Sequence, residues 1–411
     1  MACFLPIQLV NVSIGSSALP TLASNLKYFL LLFPMSHSPK YPPQDESARN
    51  LHAGSKVETL SRAFNPDMLI LGRHSRGLGQ TELAEKVGVT QSRISKLEDG
   101  LSPSPPEDLI ARISDGLGYP RHFFFQSGAS RSACASFYRK KSTLPVGILN
   151  ACDARMNIQR MHIERLVRVA EFETKNLPHL DPDEVEGGPE GIARQVRSFW
   201  NVPRGPIKNL IKIVEDAGCV VVLFDFGTNK LDGLSVFSNE GTPIIFLNKD
   251  FPQDRIRFTL AHELGHIIMH QIPTPNMEED ANAFAGEFLM PDSDIRASFY
   301  PVTIDQLARL KLRWHVSMAA LLKRAETLGV ITDKSAAYLW AQMSRYGYKR
   351  QEPHEDQIPI EKPSLLCELI ALHFTELEYT PDELALCLSL NRDEFDKMYG
   401  RDPDKGLHLL A

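Results

Sequence analysis

The sequence predicts a multidomain chain: an all-α domain, then an α+β domain, then a helical extension. Three observations predict it. The 411 residues suffice for two to four domains, at roughly 100–200 residues each. Two short helical patterns meet at Gly88, with further helical patterns on both sides. Beyond residue 190, three strand-like apolar runs stand between helical patterns.

Hydrophobic residues make up 43% and charged residues 23%, near the globular average, which excludes a wholly disordered, collagen-like or coiled-coil protein. With 45 basic and 51 acidic side chains the formal net charge is −6, so nucleic acid is not held by bulk positive charge, although a local basic face remains open. No run reaches the ~18–20 apolar residues that span a bilayer; Tyr28 to Pro34 is too short. Residues 1–35 lack the arrangement of a signal peptide, because Lys27 stands just before the apolar run and no small-residue cleavage site follows it. A cytoplasmic location with no membrane partner is expected. The six cysteines (Cys3, Cys134, Cys152, Cys219, Cys367, Cys387) include no C-x-x-C pair and read as buried reduced thiols.

Residues 1–60 read as a leader without sustained periodicity, and 36–55 are rich in Pro, Ser, His and charge, a composition that cannot build a core. Either it is disordered or the start codon is placed too far upstream. Intact-mass analysis finding native protein that begins at Met1 would refute the second expectation.

Residues 61–127 carry the first informative pattern, Gln80-Thr-Glu-Leu-Ala-Glu-Lys-Val-Gly-Val-Thr-Gln-Ser-Arg-Ile-Ser-Lys-Leu-Glu98. Leu83, Ala84 and Val87 share one helical face. Gly88 tolerates the left-handed turn that ends the helix, and Thr90 is a good N-cap for the next. Ile94 and Leu97 turn the second helix's apolar stripe onto the first, and Ala84 is small where the two cross. This is a helix-turn-helix pattern, whose second helix enters the DNA major groove by its N-terminal end. Gln91, Ser92 and Arg93 occupy its first turn, where Gln can read adenine and Arg guanine. Ser95 and Lys96 lie further round and suit phosphate contact. An ordinary two-helix corner would leave the same polar face in water, but would not need Ala, Gly, Val and Ile in register together.

Leu78-Gly-Gln-Thr-Glu-Leu-Ala and Val89-Thr-Gln-Ser-Arg-Ile-Ser-Lys-Leu-Glu-Asp-Gly100 resemble the Cro/C1-type (xenobiotic-response-element) helix-turn-helix family over roughly residues 66–125. The resemblance implies a compact five-helix, lambda-repressor-like domain. It also implies a homodimer on a two-fold double-stranded DNA operator, and a backbone contact from Gln80.

Residues 128–190 read as a basic connector and a long helix. Arg139-Lys140-Lys141, after Phe137-Tyr138, either tracks phosphates or is a solvated connector, and connectors are the commoner case. The helical pattern runs from about Ile148 to Asn176 with Arg155, Arg160, Arg165 and Arg168 interleaved.

Residues 191–300 have α+β texture, with strand-like runs at Cys219–Phe226, Leu234–Ser238 and Pro243–Asn248. His262-Glu-Leu-Gly-His266 follows on a helix whose opposite stripe is Leu260, Leu264 and Ile267. Histidines four apart share one helical face and can hold one metal ion, and Glu263 is then placed to take a proton from the water such an ion activates. A third ligand is needed. His270 is tempting, but at 1.5 Å rise its Cα stands roughly 12 Å from that of His262, too far for three imidazoles to converge. It reads as a supporting or helix-terminal residue. On the next helix, packed by Ala281, Phe284, Ala285, Phe288 and Leu289, Glu278 lies at the edge of the buried face; Glu279 points about 100° away, and Asp280 is a further alternative. Arg255 precedes His262 by two turns and reads as an ion-pair residue rather than a stabiliser of reacting charge.

Arg255-Ile-Arg-Phe-Thr-Leu-Ala-His-Glu-Leu-Gly-His-Ile-Ile-Met-His270 and Glu278-x-x-Ala-Asn282-x-Phe-Ala-x-x-Phe-Leu-Met-Pro291 resemble the ImmA/IrrE family of metallopeptidases over roughly 190–300. Trp200-Asn-Val-Pro-x-Gly-Pro206 and Asp232-Gly233 also fit it. The resemblance implies a zincin-like (gluzincin-like) α+β fold, His262, His266 and Glu278 as metal ligands, Glu263 as general base, and one zinc ion per chain. Phe288 stands where Leu is commoner, a packing change.

Residues 301–411 read as a helical extension with a breaker stretch at Glu352–Pro363. Leu310 to Ala320 offers a second two-helix corner, better suited to packing than to DNA because no base-reading side chains cluster there. The whole reads as a transcriptional regulator carrying a zinc metallo-endopeptidase-like domain that cleaves itself or a partner regulator on a signal. The alternative is a regulator whose inactive peptidase-like domain serves as sensor or dimerisation module.

Overall fold

The computed structural model describes residues 63–126, 145–170, 177–402 and 406–407. The leader and the Arg139–Lys141 stretch lie outside the described residues. So do Cys3 and Cys134.

Four helices open the described chain: α1 (Pro66–Ser75), α2 (Gln80–Val87), α3 (Gln91–Glu98) and α4 (Glu107–Leu117), closed by a 3-10 turn at Arg121–Phe125. Their boundaries follow local chemistry. Asn65 caps α1 by accepting from Asp67 N–H, and Pro66 stands where its missing N–H is harmless. Gly88 takes φ 71° at the end of α2, and the Thr90 hydroxyl accepts from Arg93 N–H at the start of α3, both as the residue pattern predicts. Leu83, Ala84 and Val87 of α2 meet Ile94 and Leu97 of α3 in one buried cluster that also holds Met68, Leu109, Ile113 and Phe124.

The long helix α5 (Val146–Val169) packs on α1. Three of the four arginines interleaved along it make polar contacts with other side chains or backbone. Arg160 is buried against Glu164, Arg165 donates to the Cys387 carbonyl, and Arg168 pairs with Glu240.

After α6 (Gly188–Phe199) and α7 (Leu210–Asp216), three strands form a mixed sheet: β1 (Val220–Phe224), β2 (Gly233–Phe237) and β3 (Pro243–Asn248). The order is β1-β3-β2, with β1 parallel and β2 antiparallel to β3. Pairing sets Val222 opposite Phe246 and Ser235 opposite Ile245. Alternation divides the sheet between two cores. Val220, Val222, Phe224, Ile244 and Phe246 join the core of α1–α5. Val221, Ile245 and Leu247 join a second core with α6, α7 and the helices that follow. Burial on both faces explains the unbroken valine run in β1.

The second core is built by α8 (Gln253–Met269), α9 (Met277–Leu289) and the short α10 (Asp292–Ile295), then by α11 (Ile304–Trp314), α12 (Met318–Thr327) and α13 (Asp333–Arg345). The corner between α11 and α12 turns Leu310, Trp314, Val316 and Met318 into that core, so it is a packing element. The last helices, α14 (Leu365–Thr375), α15 (Pro381–Cys387) and α16 (Arg392–Tyr399), return to the first core, and a two-residue ladder follows between β4 (Arg401–Asp402) and β5 (Gly406–Leu407). The breaker stretch carries two buried carboxylates. Glu352 accepts from Met318 and Ala319 N–H at the start of α12 and pairs with buried Lys311. Glu361 accepts from Leu210 and Ile211 N–H at the start of α7 and pairs with buried Arg257. Each satisfies helix N–H groups that would otherwise be orphaned.

Candidate metal centre and DNA-reading helix

Helix α8 carries His262, Glu263 and His266, and α9 packs against it. The approach needs Gly265: a Cβ there would stand 3.1 Å from Phe284 Cδ1 and 3.3 Å from Ala281 Cα. That closeness brings Glu278, in the first turn of α9, over the two imidazoles. One ligand atom from each of His262, His266 and Glu278 lies within 4.8 Å of the other two. The two Nε2 atoms are 3.0 Å apart, and the Glu278 oxygens stand 3.8 Å from His262 Nε2 and 4.0 Å from His266 Nε2. Tetrahedral ligands of a zinc ion at ~2.1 Å stand roughly 3.4 Å apart, so these separations bracket what one ion requires.

The other ring nitrogens are held from outside. Asn282 Oδ1 lies 3.1 Å from His262 Nδ1 and accepts its proton, leaving Nε2 as a lone-pair donor toward the centre. His266 Nδ1 lies 3.0 Å from His270 Nδ1, and His270 Nε2 lies 3.7 Å from Asp280 Oδ2. The arrangement that satisfies both contacts has His266 donating to His270, with the His270 proton on the side of Asp280. His270 is the C-cap of α8, and burial lowers its pKa against the opposing pull of Asp280. It therefore supports His266 and does not enter the triad. Asp280 takes part from the same outer position, and Glu279 has no place among the converging groups.

Glu263 is 8% exposed. Ser235 Oγ donates to its Oε2 at 2.7 Å, and the Ser235 backbone N–H donates as well. Burial raises the Glu263 pKa, against the opposing pull of His262 and of the Ser235 donors. Ser235 lies in β2, at the edge of the sheet; no motif marks it in the sequence, and only its position three residues after Asp232 points to the site. Arg255 forms a bidentate pair with Asp232 at 2.8 Å and lies 3.9 Å over the Phe251 ring. Its charge is committed to the loop before β2.

At the other end of the chain, Gln91, Ser92 and Lys96 are exposed on α3, and Arg93 and Ser95 are half-buried. Gln80 Nε2 donates to Glu98 Oε2 at 2.7 Å, and Gln91 Nε2 donates to Gln80 Oε1 at 2.7 Å. Glu98 also holds buried Arg73 in a bidentate pair, whose shorter contact is 2.6 Å. A chain of hydrogen bonds thus runs from the domain core to the first turn of α3 and presets Gln91. Ser95 donates to Asp99 at 3.2 Å, so its hydroxyl is already engaged.

Residues 72–122 match the family model of a helix-turn-helix domain, and residues 214–326 match that of an IrrE N-terminal-like domain of the M78 peptidases. The chain joins these two domains. The IrrE-like match starts within α7 and ends in α12, so it takes in the packing corner at Leu310 to Ala320. A comparison with curated proteins returned no match. A helix-turn-helix domain beside a peptidase-like module makes this a DNA-binding regulator by composition of parts. Among the described residues no helix is long and apolar enough to cross a membrane.

Proposed function

We propose that the IrrE-like domain is a zinc-dependent endopeptidase that cleaves the regulator itself or a partner regulator, and that the helix-turn-helix domain binds a two-fold operator as a homodimer. The observation that carries the enzymatic half is the convergence of His262, His266 and Glu278 beside a buried carboxylate that Ser235 orients. The donor set of two imidazoles and one carboxylate suits zinc and leaves a position open. Zinc held there would polarise a peptide carbonyl and acidify water. Glu263 would accept the proton lost by attacking water and return it to the departing amine, and Ser235 would hold the carboxylate in line. Asn282 and His270 would fix the ring orientations of the two histidines. For DNA, Gln91, Ser92 and Arg93 would face base edges, while Gln80 and Lys96 would meet the backbone, joined by Ser95 once its hydroxyl turns from Asp99 to a phosphate.

The test is elemental analysis of protein purified without added metal, followed by cleavage assays. Wild type should hold about one zinc per chain and His266→Ala none. Glu263→Gln should retain the metal and lose cleavage of candidate partner regulators. Retained metal with no cleavage by wild type would instead support the sensor or dimerisation reading.

A further inference from the structure

The DNA-binding domain, α5, β1 and α16 line a partly open pocket of about 200 Å³ that neither the metal centre nor the DNA-reading face uses. Arg155 and Gln159, one turn apart on α5, both line it. The Arg155 guanidinium lies 5.7 Å from the Phe224 ring centroid, and its buried Nε has no hydrogen-bond partner. The nearby carboxylates are committed elsewhere. Glu394 holds Arg76 in a bidentate pair, and Asp225 accepts from Gly227 N–H and pairs with Lys249. A buried donor on a cation without an acceptor is costly, and a bound anion would supply one. Ile158, Phe224, Leu390 and Met398 form an apolar part of the wall. Two carboxylates in the lining, Asp225 and Glu394, disfavour a dianion such as phosphate.

We propose that this cavity binds a small apolar monocarboxylate, its carboxylate on Arg155 and Gln159 and its body against Phe224 and Leu390. A cavity of ~150 Å³ holds benzene, so one about a third larger holds a ring with a carboxylate. Ser75, Arg76 and Tyr119 of the DNA-binding domain also line the cavity, so a bound acid bears on how firmly that domain is held. The site is independent of the metal reading, since it shares no residue with it.

The experiment is calorimetric titration of the full chain with benzoate and with hexanoate, using benzamide as the uncharged control. Saturable binding of at least one acid is expected, with benzamide weaker by about tenfold or more. Arg155→Met, checked as folded by circular dichroism, should lose that binding and the associated rise in Tm. His266→Ala should bind the acid as wild type does. No saturable binding of either acid up to roughly 10 mM would overturn the proposal. So would equal binding of benzamide, or unchanged binding by folded Arg155→Met. Loss of binding in His266→Ala would place the carboxylate on the metal centre and overturn it too.

Discussion

Glu263 and Arg93 show how single residues depend on their supports. Glu263 is a buried carboxylate whose orientation comes from Ser235 on a neighbouring strand. Arg93 opens α3 beside Gln91, which is itself held by the chain through Gln80, Glu98 and Arg73. Removing Arg93 leaves that chain intact, so Arg93→Ala should keep the fold and lower affinity for the cognate operator by about 1–3 kcal/mol. Titration at two salt concentrations checks this, because a base contact is lost at both, whereas a phosphate contact changes the salt slope. Residue types and spacing were enough to pick out His262, Glu263 and His266, because four-residue spacing on a helix is a local property. Ser235 was not legible, because its role depends on β2 lying beside α8, which no local pattern encodes.

At the scale of elements, the metal centre is a contact between two helices. Gly265 sits where α8 meets Ala281 and Phe284 of α9. Gly265→Ala adds a methyl group against the backbone of α9, so α9 must move, and Glu278 moves with it. The expected result is a loss of about 1–3 kcal/mol of stability together with weaker zinc binding. Thermal melts with and without chelator measure both; an unchanged Tm and metal affinity would show that the helices have slack at this crossing. The two-helix corner in the first domain is the opposite case, because cap, turn and stripe are all in sequence order. The corner at Leu310 to Ala320 has the same outline, yet Leu310, Trp314 and Met318 bury it in the second core.

At the scale of the molecule, the sheet is a shared wall with a core on each face, and the chain crosses between them more than once. Glu215, at the end of α7, accepts hydrogen bonds from Ser364 N–H, Ser364 hydroxyl and Leu365 N–H at the start of α14. It therefore ties a helix of the second core to a helix of the first. Burial, against those donors, raises its pKa from 4.5 to about 7. The folded state then binds a proton that the unfolded state has released between these values, so this group's contribution to stability falls as pH rises from about 4.5 to about 7. His162, buried and lowered to about 3, has the opposite slope over part of that window, so the wild-type curve alone does not isolate Glu215. The difference in Tm between Glu215→Gln and wild type does. It should shift in favour of the variant across that window and stay flat at lower pH. A difference independent of pH would mean that Glu215 is ionised throughout.

The sequence by itself determined the two-domain plan, the helix-turn-helix corner with its caps, and the pair of histidines with the glutamate between them. All of these are written in residues close along the chain, where helical period and capping chemistry decide the outcome. For the third converging group the helical face favoured Glu278, as the family resemblance did, with Asp280 as an alternative, because a choice on geometry needs the angle and distance between two packed helices. Only the tertiary structure placed Glu278 over the imidazoles, set Ser235 against Glu263, and folded Glu352 and Glu361 back onto distant helix starts. It also buried Arg160 of α5 against Glu164 and left Arg155 facing a pocket bounded by four separate parts of the chain. Those outcomes come from contacts between residues far apart in sequence, which packing alone decides.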